Sequence, residues 1–183
     1  MSLLKMSNEW KEKADILLKE KGLFDDLSQY GEVHFTGAYA YNLMMHGDVD
    51  ISVVRDEAFS NKEVFEIFKS LYFKANFRSY FIAGDWDDPR KGNEFPEGFY
   101  IGLKEKINGE RWKFDIWFLD KDAFHKRNNN PKLSSASEKE KELILECKQV
   151  RKKRKLDTTG QEIYDLVLSG KVKSIEDFSK IFN

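Results

Sequence analysis

The chain has 183 residues, 40% hydrophobic and 34% charged, which is apolar enough to bury a core and excludes a disordered tail. Acidic and basic residues nearly cancel at a net charge of -1, so composition supplies no global attraction to nucleic acid or to an anionic membrane. The lone cysteine, Cys147, excludes an internal disulfide, and no apolar run approaches the roughly 20 residues of a membrane helix. A cytoplasmic protein is expected, with Met1 to Met6 too short for a signal peptide.

In chain order, residues 7–29 read first as a helix. Trp10, Ala14, Leu17 and Leu18 make one apolar stripe, and Gly22 weakens or ends it. Residues 32–118 read as a mixed α+β core. Glu32 to Thr36 is a short strand followed by Gly37. A single helix is expected from Ala38 to His46, stopped at Gly47. Asp48 to Val54 alternates polar with apolar side chains, which is the period of a strand. Ser60 and Glu63 form a capping-box pattern that opens a helix through about Tyr72.

Phe77 to Ile82 and Phe99 to Ile107 read as strands, and residues 85–97 between them as a polar flap containing Pro89 and Pro96. Asn108-Gly109 is a hairpin signal leading into a strand from Arg111 to Leu119. The last third is helical, with starts at Ser137, Thr159 and Ser174, each followed three residues later by an acid. Asn128-Asn129-Asn130-Pro131 is the expected boundary between a core, 1–127, and a C-terminal helical region, 128–183.

Chemistry concentrates in two strands. Residues two apart share a face, so Asp48, Asp50 and Ser52 face one way and Val49, Ile51 and Val53 the other. Paired carboxylates repel unless a cation sits between them, and carboxylate oxygens suit Mg²⁺. A third acid, Asp115, stands in the apolar strand around Phe114 and Ile116. If that strand lies beside the Asp48 strand, three carboxylates converge in a set able to hold divalent metal for phosphoryl transfer. Upstream, Gly37-Ala38 sits at a strand-to-helix turn where backbone N–H groups can approach phosphate.

This arrangement resembles the nucleotidyltransferase superfamily related to DNA polymerase beta. The residues that carry the likeness are Gly37-Ala38, then Asp48-Val49-Asp50-Ile51, then Phe114-Asp115-Ile116. The stretch from Gly37 to Met44 is also similar to small bacterial members of unassigned substrate. The resemblance implies an α+β fold with a mixed β-sheet, helices packed on one side and a helical C-terminal appendage. It implies transfer of a nucleoside monophosphate from a nucleoside triphosphate, with ATP the expected donor, to a hydroxyl of a small molecule or protein. Asp48 and Asp50 would bind two Mg²⁺ (or Mn²⁺). Asp115 would bind the metal beside the attacking hydroxyl and accept its proton, and Gly37 and Ala38 would hold the phosphates. A nucleotide and a hydroxyl acceptor are the expected partners; a membrane is not, and nucleic acid is not.

Other features read more simply. The second small residue of the turn is usually Ser or Gly, and Ala38 keeps the N–H without the hydroxyl. The alternative is therefore a catalytically weak nucleotide-binding or interaction module that retains the fold. A metal-dependent nuclease is disfavoured because no His or Lys helper is evident beside the carboxylates. Asp85, Asp87 and Asp88 read as a solvated turn. The basic run from Lys148 to Lys155 could clamp phosphates or RNA but reads more simply as a solvated helix end, Cys147 reads as buried, and Trp117 as either a stacking surface or a cover for the sheet.

Overall fold

The computed structural model describes residues 2–74, 77–84, 98–127 and 131–182. Ser2 accepts a hydrogen bond from the Lys5 N–H and opens helix α1 (Leu3–Lys21). Gly22, at φ 63°, ends it, and a second short helix, α2 (Leu23–Ser28), follows. Then come β1 (Glu32–Thr36), α3 (Gly37–Ala40), β2 (Gly47–Arg55), α4 (Asn61–Lys74), β3 (Ser79–Ala83), β4 (Phe99–Ile107) and β5 (Glu110–Asp120). The chain closes with α5 (Lys121–Arg127), α6 (Pro131–Ser134), α7 (Glu138–Arg154), α8 (Gly160–Leu168) and α9 (Ile175–Ile181). The fold is α+β, as expected.

Local chemistry sets these bounds. Ser60 and Glu63 exchange hydrogen bonds ahead of α4, and Ser137 with Glu140 and Thr159 with Glu162 form full capping boxes. Asn108 and Gly109 both take positive φ, 51° and 84°, as a two-residue hairpin turn requires. The expected helix over residues 38–46 is wrong in extent: α3 is a single turn. Asn42 turns left-handed at φ 58°, and Ser7 then captures the segment, bonding Asn42 Oδ1 at 3.1 Å and the Met44 N–H at 2.8 Å. A side-chain partner from another element therefore outcompetes the next helical turn. The flap, the Asp85–Asp88 cluster and Asn128 to Asn130 lie outside the described residues.

The sheet has five strands in the order β1-β2-β5-β4-β3, with β2 and β5 parallel and the other neighbours antiparallel. One face presents Val49, Ile51, Val53, Phe114, Ile116, Ile101 and Leu103 to α1, α2 and α4, forming the main core. The other face carries the polar members of the same strands. At one end α5 covers it, packing Ala123 and Phe124 against Trp117 and Leu119. A second apolar cluster joins α6–α9 to Leu3, Leu4 and Leu43. Glu142 of α7 ties this cluster to α1 by accepting the Leu3 and Leu4 N–H groups, each at 2.9 Å.

Candidate active site

The parallel β2–β5 pair places Asp50 directly beside Asp115, and Asp48 beside Lys113. Paired positions in a sheet share a face, so these side chains stand together on the face opposite the main core. On the far side of β2, antiparallel β1 sets Thr36 beside Asp50. The chain then turns at Gly37, whose φ is 62°. A β-carbon there would meet Asp50 Oδ2 at 2.0 Å and Cγ at 2.8 Å, so only glycine lets the turn rest against this carboxylate. Ala38 packs its methyl against both apolar clusters. Because α3 has only four residues, little helix dipole stands behind this turn. What the turn offers is close backbone approach to Asp50.

Electrostatics at the site are strongly perturbed. Asp48 has its pKa raised, first by burial and then by Asp115, while Lys113 opposes the shift most. Its Oδ1 is buried and has no hydrogen-bond partner among the described residues. Lys113 bonds Asp115 Oδ2 and holds a raised pKa: burial works against its charge, but Asp115, Asp48 and Asp50 together outweigh burial. The nuclease objection thus fails on one point, since a lysine does stand at the carboxylates; period-2 alternation places Lys113 on the Asp115 face and was a readable signal.

Asp115 is held from the other side by the Tyr100 hydroxyl, which donates to Oδ1. Burial and this bond push the Tyr100 pKa upward, so the phenol stays protonated and remains a donor. Gly102, paired with Asp115 across β4–β5, makes the reach possible, since a β-carbon there would lie 2.6 Å from the Tyr100 oxygen. Trp117 is only 3% exposed beneath α5 and Tyr100, so it covers the sheet and offers no stacking surface.

Helix α7 sets Lys148 apart from the rest of the basic run, which reads as one unit in the sequence. Lys148 follows Ile144 by four and Leu145 by three, so it lies on the buried face of α7 although it begins the basic run. Its Nζ donates to the Leu43 carbonyl at 2.8 Å. Burial, followed by Arg151, lowers its pKa to about 8, while the fields of Asp48 and Asp50 pull it upward. Lys152 to Lys155 are exposed, in keeping with the solvated helix end expected for the run. Cys147 is fully buried, and burial pushes its thiol up to about 12.

The donor set suits an oxygen-seeking cation: carboxylates meet on one sheet face, and one buried carboxylate oxygen is orphaned. Among the described residues, no three His, Cys, Asp or Glu side chains stand close enough in their present positions to grip an ion together. Lys113 supplies positive charge at Asp115 in this arrangement.

No protein-family model and no curated protein matches this sequence. Solved structures do. The Cid1 poly(U) polymerase with Mg and 3′-dATP bound aligns at TM-score 0.58 and 19% identity, over 82% of this chain and 44% of that one. A cytoplasmic RNA terminal U-transferase aligns at 0.59 and 17%, over 88% and 45%. The STING-associated CdnE c-di-GMP synthase from Capnocytophaga granulosa aligns at 0.53 and 13%, over 88% and 59%. The chain therefore has the nucleotidyltransferase fold, and it spans less than half the length of the first two neighbours. Among the described residues, no helix is long and apolar enough to cross a membrane.

Proposed function

We propose that this chain is a nucleotidyltransferase that moves a nucleoside monophosphate from a nucleoside triphosphate, with ATP the favoured donor, to a hydroxyl. The observation that carries this reading is the register pair Asp50–Asp115 with Gly37 seated on Asp50. Mg²⁺ or Mn²⁺ held by Asp48, Asp50 and Asp115 would neutralise phosphate charge and acidify the attacking hydroxyl. Gly37 and Ala38 bring backbone N–H groups to the phosphates, and Lys148 adds an ammonium from the α7 side. The acceptor oxygen attacks the α-phosphorus, its proton passes to Asp115, and pyrophosphate leaves. Tyr100 fixes the orientation of Asp115 for that transfer.

The expectation against nucleic acid as a partner has lost its ground. It rested on the net charge of the whole chain, and two of the fold neighbours are by name enzymes of poly(U) or RNA. The second reading, a nucleotide-binding module with weak catalysis, draws on the bond between Lys113 and Asp115, which places a fixed cation at a metal-ligand position.

The test is incubation with each α-labelled nucleoside triphosphate, Mg²⁺ and a cell extract, reading label transfer and pyrophosphate. Asp115→Ala should stop transfer and leave much of the nucleotide binding, while Asp50→Asn should remove the rise in melting temperature that Mg²⁺ and nucleotide produce. Labelling that survives Asp115→Ala rejects the mechanism. Nucleotide binding with no turnover across all four triphosphates supports the module.

A further inference from the structure

On the sheet face that carries the carboxylates, register defines rows. Asp115, Gly102 and Phe81 form one row across β5, β4 and β3. The next is Lys113, Lys104 and Ser79, and beyond it Arg111 stands beside Lys106. Stepping two residues along a strand advances about 6.8 Å, which is the scale of successive phosphates in an extended single strand. The second and third rows line a cleft of about 740 Å³ that opens beside Asp48, takes in Arg78 and Glu105, and adjoins the Asp115 row.

The cleft is cationic for a specific reason. The acids next to the rows are engaged elsewhere: Glu105 pairs with Lys21 at 3.6 Å, and Glu110 with Lys13 at 2.5 Å. Arg78, Lys104, Lys106 and Arg111 have no ion-pair partner among the described residues and are exposed. Phe81 is 48% exposed in the Asp115 row, its ring 5.9 Å from that of Tyr100. The triphosphate side of the carboxylates, with Gly37, lies at β1 and β2. The cationic rows lie on the opposite side, at β5, β4 and β3.

We propose that this cleft and the Asp115 row beside it bind a single strand of nucleic acid, with the phosphates on the cation rows, a base on Phe81 and the terminal hydroxyl at Asp115. A near-neutral chain thus carries a local polyanion track that its net charge hides. An exposed aromatic beside a basic groove accepts any base, because every base has a stacking face. A duplex buries those faces in its own stack, which favours the single strand. The assignment of the hydroxyl to Asp115 rests on the nucleotidyltransferase reading; the binding itself does not.

The experiment is fluorescence anisotropy of end-labelled 12-nucleotide RNA and DNA strands with the full chain, without nucleotide, across a salt series. Lys104→Glu with Arg111→Glu should weaken binding at least tenfold and flatten the log–log salt slope by about 1.4, at roughly 0.7 for each phosphate left unneutralised. Phe81→Ala should weaken binding about tenfold, the worth of one stacked base. Lys62→Glu with Lys69→Glu, which makes the same charge change on α4, should alter it less than twofold. Lys104→Gln serves if the double variant misfolds, with about threefold weakening expected. Equal weakening in the α4 variant, or equal competition by polyaspartate, overturns the proposal. RNA and DNA binding alike supports a sugar-blind track, and binding of RNA alone supports an RNA track. If strands bind yet Mg²⁺ and ATP never shift the melting temperature, the catalytic reading fails and this one stands. The reverse result removes this one alone.

Discussion

Gly37 and Asp50 pack so tightly that no β-carbon fits between the turn and the carboxylate, the nearest oxygen being 2.0 Å from where that carbon would lie. The first prediction follows from this contact. Gly37→Ala adds a left-handed non-glycine residue, costing about 1–2 kcal/mol, and also pushes the Asp50 carboxylate aside. The urea midpoint should fall modestly, while the thermal shift given by Mg²⁺ and ATP should vanish. A full nucleotide-induced shift in the variant would separate the turn from Asp50 in function.

Ser7 is fully buried and serves both Asn42 Oδ1 and the Met44 N–H. Ser7→Ala leaves a buried amide unpaired, so a loss of about 1–3 kcal/mol in unfolding free energy is expected. The segment between Gly37 and Asp48 should loosen with it, visible as faster amide exchange at Leu43 and Met44. Unchanged exchange would mean that this segment is held by its apolar contacts alone.

Tyr100 holds Asp115 through one hydroxyl. Tyr100→Phe keeps the ring that packs on Trp117 and Phe81 and removes only that bond. Transfer should slow about tenfold, as expected for a positioning contact worth near 1.4 kcal/mol. Nucleotide affinity should stay within twofold. A drop in affinity equal to the drop in rate would place Tyr100 in nucleotide binding instead.

Lys148 titrates near 8 in the free protein because burial disfavours its charge. Below that pH the ammonium is already charged, and triphosphate affinity should be flat. Above it, binding must take up a proton, so affinity should fall up to tenfold per pH unit. Lys148→Arg should abolish the fall. The stability sign is also fixed: from about pH 8 to 10.5 the unfolded chain binds more protons at this group, so its contribution to stability rises with pH. Lys148→Met should erase that rise in urea titrations.

Much of this was legible in the sequence because strand alternation and capping boxes act locally. The alternation of Asp48 to Val54 fixed the face of its carboxylates, and Ser137 and Thr159 announced their helices through side chains that bond their own backbone. Pairing was not legible. That Asp115 neighbours Asp50 depends on which strand enters the sheet beside β2, and alternation carries no such label. The same limit hid Tyr100, whose reach to Asp115 exists only because Gly102 faces it across the ladder. The truncated α3 was missed because its competitor, Ser7, belongs to another helix.

The parallel pairing of β2 with β5 has a kinetic consequence. Parallel neighbours need a crossover, and here the crossover is α4, β3 and β4 together. All of that chain must be looped out before Asp50 and Asp115 meet, an entropy cost met late in folding. A contact of such long sequence separation is formed at a greater loop-closure cost than the local helices, so the carboxylate pair is expected to form after them. A fragment ending before β5 would hold Asp48 and Asp50 without Asp115 beside them.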